Sequence, residues 1–206
     1  MYRKYFKRFL DIIMAFSGLL ILSPILILLM ILLAVVNRGK IFFTQERPGR
    51  DEKVFRVIKF RSMNDKRDAN GKLLPDRERI TPIGKFIRAT SLDELPQLIH
   101  ILKGEMSLIG PRPLLPRYLP FYTEREKKRH TVRPGMTGLA QVSGRNLIGW
   151  DVKLELDVHY VENISFFGDL KIFWLSVIKV IKREGAIANK KENYLDIERE
   201  KKILKL

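Results

Sequence analysis

The sequence predicts an α-rich mixed α/β protein: an N-terminal re-entrant membrane helix broken at Ser23-Pro24, then a small cytoplasmic globular domain with a short β-hairpin and interfacial amphipathic helices. Three observations carry that expectation. An apolar run extends from Ile12 to Val36 with Ser23-Pro24 in its middle and basic residues at both ends. Two short segments rich in β-branched and aromatic residues flank Pro48-Gly49. Farther on, apolar residues recur at the three- and four-residue spacing of helices.

About 20 helical residues span the hydrocarbon core of a bilayer, so the first run is long enough to cross one. Its flanks argue against crossing. Arg3, Lys4, Lys7 and Arg8 precede it and Arg38, Lys40, Arg47 and Arg50 follow, whereas positive charge marks only the cytoplasmic end of a crossing helix. Pro24 lacks an amide hydrogen and its ring crowds the preceding turn, so the helix kinks or breaks there. The Ser23 hydroxyl is placed to bond back to the freed carbonyl. A helix that bends at Ser23-Pro24 and leaves on the side it entered satisfies both flanks. A signal anchor with a tolerated proline is the alternative. A cleaved signal peptide does not fit, because the run exceeds the usual apolar region of about 7–15 residues.

The expected organisation is an anchor over residues 1–38, a globular domain over 39–184, and a charged tail over 185–206, solvated by default. Roughly 165 residues beyond the anchor suit one compact domain. A formal net charge of +16 implies an anionic partner, and the anchor favours lipid head groups and phosphorylated substrates. Cysteine is absent, which excludes disulfides, thiolate metal sites and a cysteine nucleophile. His100, His130 and His159 lack metal-ligand spacing and read as polar surface or helix residues.

Ile41 to Thr44 and Val54 to Phe60 read as the hairpin strands, with Lys59 and Arg61 emerging on one face of the second. Asn64 to Pro82 is polar and reads as a long loop. Leu92, Leu95, Leu98, Ile99 and Leu102 form a helical apolar face ended by Gly104. Gly110-Pro111-Arg112-Pro113 and Pro134 to Gly138 are loops. Trp150 to Asn163 and Leu170 to Arg183 read as helices. The second is more apolar than a core stripe requires, so a membrane-interface helix and a buried core helix both fit. The segment Leu114 to Tyr122 poses the same choice, and helix is expected again from Tyr194.

Asp93 and Glu94 open a helix, where the dipole favours the ionised carboxylate. Ser91-Leu92-Asp93-Glu94 also fits a capping box, but that register places Pro96 poorly, and a start at Leu92 or Asp93 leaves the acids less committed to capping. Arg88 precedes the pair. Arg112 is presented from a stiff proline-flanked loop, and Arg145 follows Gly144. Arginine grips phosphate with two parallel hydrogen bonds, so acids and arginines together suggest phosphoryl transfer.

Ser23-Pro24, Lys59-Phe60-Arg61-Ser62-Met63, Ser91 to Leu98, Gly110 to Pro113 and Pro134 to Val142 occur in order, and in this the chain resembles the bacterial sugar transferase family, the small monotopic phosphoglycosyl transferases. The resemblance runs from about Tyr2 to Arg183. Asp68 to Gly71 and Ser91 to Leu98 look closest to members that start protein N-glycan assembly with diacetylbacillosamine phosphate. The resemblance implies transfer of a sugar-1-phosphate from a UDP-sugar to undecaprenyl phosphate with release of UMP, on the cytoplasmic face of the bacterial inner membrane. It implies Asp93 as nucleophile, Glu94 completing an acidic dyad, and Mg2+ supported by Asp93 and Glu94. Lys59, Arg88, Gly110, Pro111, Arg112 and Arg145 match substrate- or phosphate-binding positions, with Asp157, Asp169 and Gln141 in support. Anionic inner-membrane lipid and downstream glycosyltransferases are the further partners expected, and nucleic acid is not. A direct ternary-complex transfer, and a non-catalytic membrane-tethered scaffold for polyanions, are the alternatives.

Overall fold

The computed structural model describes residues 1–144, 148–182 and 194–203. Lys7–Val36 form one helix, α1, about 45 Å long at 1.5 Å per residue. Helical structure continues through Pro24, so the expected break does not divide the helix. The reason is local. Pro24 cannot donate to the Leu20 carbonyl, and Ser23 Oγ does so instead at 2.8 Å.

The helix is long and apolar enough to cross a membrane, by length and composition. Asp11, Ala15, Leu29 and Leu33 are buried, while Phe16, Leu20, Ile21, Ile27, Leu28, Ile31 and Val35 are exposed. Its first half packs Ala15 and Leu19 on Leu98, Ile101 and Met106. Its second half packs Leu26, Leu29, Met30 and Leu33 on Phe60, Ile83 and Ile87. Both halves therefore rest on the same globular unit.

Strands β1 (Phe42–Pro48) and β2 (Val54–Phe60) pair antiparallel as the hairpin reading expects, and their register sets Phe43 opposite Lys59. The polar stretch after them holds one short helix, α2 (Asp76–Arg79), and is tied back by pairing of Met63 with Ile80. Helix α3 (Pro82–Ala89) is an addition to the expected elements. Thr81 Oγ1 accepts from the Gly84 amide at 3.0 Å, and Pro82 occupies the first turn, where no amide donor is needed. Leu92–Gln97 form a 3₁₀ turn that leads into α4 (Leu98–Lys103), ended by Gly104 at φ 85°.

Strand β3 (Ser107–Ile109), helix α5 (Glu124–Lys127), strand β4 (Gly135–Thr137) and helices α6 (Leu139–Ser143), α7 (Trp150–Glu162) and α8 (Phe166–Ile181) follow, with β3 and β4 parallel. Helix α8 starts at Phe166 because Ser165 Oγ accepts from the Gly168 amide. It buries Asp169 and Ile172 but exposes Phe167, Trp174, Ile178 and Ile181. One face of this helix is thus buried as the core reading expects, and the other is apolar and exposed.

The open choice for Leu114 to Tyr122 falls to the core, because Tyr118 and Tyr122 are buried with Trp150 and Leu154. Two expectations are corrected. Pro134 to Gly138 is not wholly loop, because Gly135–Thr137 pair with β3. Helix α9 (Leu195–Ile203) is not a solvated tail: Leu195 is fully buried in that cluster, and Arg199 pairs with Glu126 and with Asp151 at 2.8 Å. His100, on α4, and His130, in a short 3₁₀ turn, are helical as expected and both are buried. His100 Nε2 accepts from the Ile58 amide at 3.0 Å and its Nδ1 faces Glu105 at 2.6 Å, which ties β2 to α4.

Candidate active site

Ser91 sits at φ 56°, a left-handed conformation that serine rarely adopts, and it makes no side-chain cap. The 3₁₀ turn starts at Leu92, so the capping-box register is not realised. Glu94 turns instead toward β2 and the proline-flanked loop. Its Oε1 accepts from Lys59 Nζ and from Arg112 Nη2, both at 2.6 Å, and its side chain is 16% exposed. Sequence positions 59, 94 and 112 thereby meet in one cluster.

The two neighbouring acids lie in opposite electrostatic settings. Burial alone would raise Glu94, but the charges of Arg112 and Lys59 outweigh it and hold the carboxyl far below the usual range. Asp93 is pushed up to about 6, first by burial and then by the Glu94 charge, with the charges of Lys59, Arg88 and Arg112 opposing. Burial lowers Lys59, with Arg112 adding to it and Glu94 opposing. The arrangement is a permanently charged, cation-bound glutamate beside an aspartate of enhanced basicity. Arg88, from α3, is exposed and near enough to act on Asp93.

The loop carrying Arg112 is clamped from several sides. The Gly110 amide donates to Thr137 O and the Gly135 amide to Pro111 O, both at 2.9 Å. A Cβ on Gly110 would fall 2.8 Å from Arg133 O, and one on Gly138 would fall 2.1 Å from Gly110 O, so the close crossing of the two loops requires glycine. Arg129 Nη2 donates to Arg112 O at 2.6 Å, and Arg47 Nη1 to Pro113 O at 3.3 Å.

A family model for bacterial sugar transferases matches residues 2–183. The chain belongs to the bacterial sugar transferase family. Among its relatives, the Bacillus subtilis sugar transferase EpsL is 51% identical over 179 residues, covering 87% of this chain and 89% of its own length. The Salmonella typhimurium undecaprenyl-phosphate galactose phosphotransferase is 38% identical, covering 89% of this chain and 42% of its own length. The Klebsiella pneumoniae UDP-glucose:undecaprenyl-phosphate glucose-1-phosphate transferase is 38% identical, with 84% and 40% covered. The chain thus spans most of the first relative and under half the length of the other two.

In this sugar transferase, Asp157 and Asp169 lie away from the acid pair. Asp157 Oδ2 accepts from Arg129 Nε at 3.1 Å and Nη2 at 2.8 Å, so it holds the buried guanidinium that in turn holds the Arg112 backbone. Asp169 is not the cap of α8. Its Oδ2 accepts from Tyr2 OH and Lys7 Nζ, both at 2.6 Å, and its Oδ1 from Tyr160 OH at 2.8 Å. It fastens the start of α1 and the residues before it to the rest of the chain. Gln141 lies against the glycine crossing with its buried amide N and O unpartnered among the described residues. Arg145 falls outside the described residues.

Two functional side chains escape sequence reasoning. Arg129 belongs to the run Lys127-Lys128-Arg129, which reads as a solvated charged face, yet it is 2% exposed. Arg47 reads as a flanking charge, but it reaches the site from β1, where burial and the charge of Arg112 lower it to about 10. Only its alternation with Gln45 along the strand, and so its place on the same face, hints at this.

Among the described residues, no cluster of three or more His, Cys, Asp or Glu side chains suits a metal. Magnesium accepts one or two protein carboxylates and completes its shell with water and substrate phosphates. Asp93 fits that demand. Glu94 fits it poorly in this arrangement, because Arg112 spans both its oxygens and Lys59 shares one.

Proposed function

We propose that this chain transfers a sugar-1-phosphate from a UDP-sugar to undecaprenyl phosphate, releasing UMP, through a covalent phospho-sugar intermediate on Asp93. It is an enzyme of the polyprenol-phosphate phosphoglycosyl transferase class, as the names of the galactose- and glucose-specific relatives support. The observation that carries the mechanism is the split between the acids: Glu94 neutralised by Lys59 and Arg112, and Asp93 left basic beside the same cations.

An Asp93 oxygen attacks the sugar-bearing phosphorus. An acyl-phosphate bond forms, the phosphoanhydride bond breaks, and UMP leaves with the electron pair. A phosphate oxygen of the lipid then attacks the same phosphorus and returns Asp93 as carboxylate. Lys59, Arg88, Arg112 and Arg47 offset charge on the transferring phosphoryl group. Arg145 belongs by family position to the phosphate-binding set. Mg2+, held by Asp93 and the donor phosphates, would withdraw charge from the diphosphate.

The proposed topology is monotopic, on the cytoplasmic face of the inner membrane. Its support is that both ends of α1 dock on one globular unit. Arg8 Nη1 donates to Ile101 O at 2.6 Å near one end, and Asn37 Nδ2 to Arg61 O at 3.2 Å at the other. Ends bound to one unit suit a helix that enters and leaves on one side. The exposed apolar face of α8 suits the same interface. The sugar proposed is N-acetylated and diacetylbacillosamine-like, on the resemblance of residues 68–71 and 91–98, with protein glycosylation as the destination.

The test is UMP release by detergent-purified protein with undecaprenyl phosphate, Mg2+ and a panel of UDP-sugars that includes glucose and galactose. Release with the diacetylbacillosamine donor, dependent on lipid and metal and lost in Asp93→Asn, is expected, with a phospho-sugar adduct on Asp93 by mass spectrometry. Turnover surviving in Asp93→Asn would sink the nucleophile. Turnover only with glucose or galactose would replace the sugar and keep the reaction.

A further inference from the structure

A second basic site lies at the start of the anchor, away from the acid pair. A cavity of about 360 Å3, within the range of small-ligand sites, is lined by Arg3, Lys4, Lys7, Arg8, Arg50 and Arg133. None of Lys59, Arg88, Asp93, Glu94 or Arg112 lines it. The one acid in its wall, Asp11, accepts from Ser107 Oγ at 2.7 Å and from the Leu108 amide at 2.9 Å.

Of the six cations, Lys7 meets Asp169 and Arg50 meets Asp51. Among the described residues, the other four meet neutral groups. Arg8 donates to Ile101 O and Leu102 O, Arg133 to Gly104 O at 2.7 Å, and Arg3 to Val161 O at 3.5 Å, while Lys4 sits 5.3 Å from the Tyr5 ring centre. Arg8 and Arg133 converge on the same short segment, so their like charges face one cavity. Burial, and then the neighbouring charges of Arg8 and Arg50, lower Arg133.

The surroundings name the source of a matching anion. Tyr5, Phe6, Phe9 and Phe167 are all more than half exposed nearby along the chain and at the start of α8. Tyr2, which shares Asp169 with Lys7, packs edge-on against Phe166 at 5.8 Å. Exposed aromatic rings beside a cluster of Lys and Arg are the composition that settles at a membrane interface. We propose that this cavity binds the phosphodiester head group of an anionic membrane lipid, seating the start of α1 at the head-group level independently of the substrate lipid.

Calorimetric titration of the detergent-purified full chain tests this with short-chain, micelle-free phosphatidylglycerol, the matching phosphatidylcholine, and inorganic phosphate. Phosphatidylglycerol is expected to bind, phosphatidylcholine not to bind, and inorganic phosphate to bind at least about tenfold more weakly, lacking the apolar contact. Lys4→Gln with Arg133→Gln should weaken phosphatidylglycerol roughly thirtyfold at low salt, from about 1 kcal/mol per cation near a surface. Arg3→Gln with Lys4→Gln, both exposed, guards against misfolding of the Arg133 variant and should give a similar loss. Arg56→Gln, on the hairpin, should change nothing. Inorganic phosphate binding as tightly as phosphatidylglycerol would make this a free-phosphate site and overturn the lipid assignment. Equal binding of phosphatidylcholine, or full affinity in the Arg3/Lys4 variant, would overturn the site itself. The titration needs no turnover, so it stands or falls separately from the transferase reaction.

Discussion

Asp93 and Glu94 are adjacent in sequence, yet one is raised toward neutrality and the other driven far down. The difference is which of them the cations touch. An aspartate lifted from 3.8 to about 6 disfavours its own ionisation in the folded state. The native protein then binds more protons than the unfolded chain between those values, so stability falls as pH rises through that window. The cost is full above about 6 and absent below about 3.8. Asp93→Asn should therefore be more stable than the parent by about 3 kcal/mol at pH 8, with the gain shrinking at pH 5. Chemical unfolding at both pH values checks this. A gain that does not shrink at the lower pH would contradict the electrostatic account. Turnover of the parent should rise with pH through about 6 as the nucleophile ionises.

At the scale of elements, the Arg112 loop depends on α7 through a buried pair. Asp157→Asn leaves the Arg129 guanidinium buried without its counter-charge and should destabilise by about 3–5 kcal/mol. Arg129→Met with Asp157→Leu removes both charges and should recover most of that stability. It should still raise KM for the UDP-sugar several-fold, because the Arg112 carbonyl loses its donor. Recovery of both stability and KM in the double variant would reduce the pair to a packing role. In α1, Ser23→Ala strips the Leu20 carbonyl of its donor and should cost about 1 kcal/mol. Ser23→Thr should restore it, with thermal unfolding in one detergent as the measurement.

At the scale of the molecule, distant parts of the chain are stitched together by few contacts. Asp169 joins Tyr2 and Lys7 to Tyr160, and Leu195 closes the cluster of Tyr118, Tyr122, Trp150 and Leu154. Leu195→Ala leaves a cavity in that cluster and should destabilise by about 2–5 kcal/mol. Faster cleavage C-terminal to Ile181 under limited proteolysis would report the same loosening of α9. Unchanged stability would mean that α9 rests on the domain without supporting it.

The ordered motifs carry family membership, and the one-dimensional pattern determined the long apolar helix α1, the hairpin and the α4, α7 and α8 helices. These follow from local periods and turn chemistry, which depend on near neighbours. The same pattern placed Lys59, Asp93, Glu94 and Arg112 among the candidate residues. It could not say which acid the cations would hold, because that depends on a strand, a turn and a loop meeting in space. It could not tell buried Arg129 from its exposed neighbours in a charge run, nor foresee that Leu195 would be buried in an otherwise charged tail. Charge, hydroxyl and apolar surface are visible in a sequence. Whether a partner arrives to match them is decided only by tertiary packing.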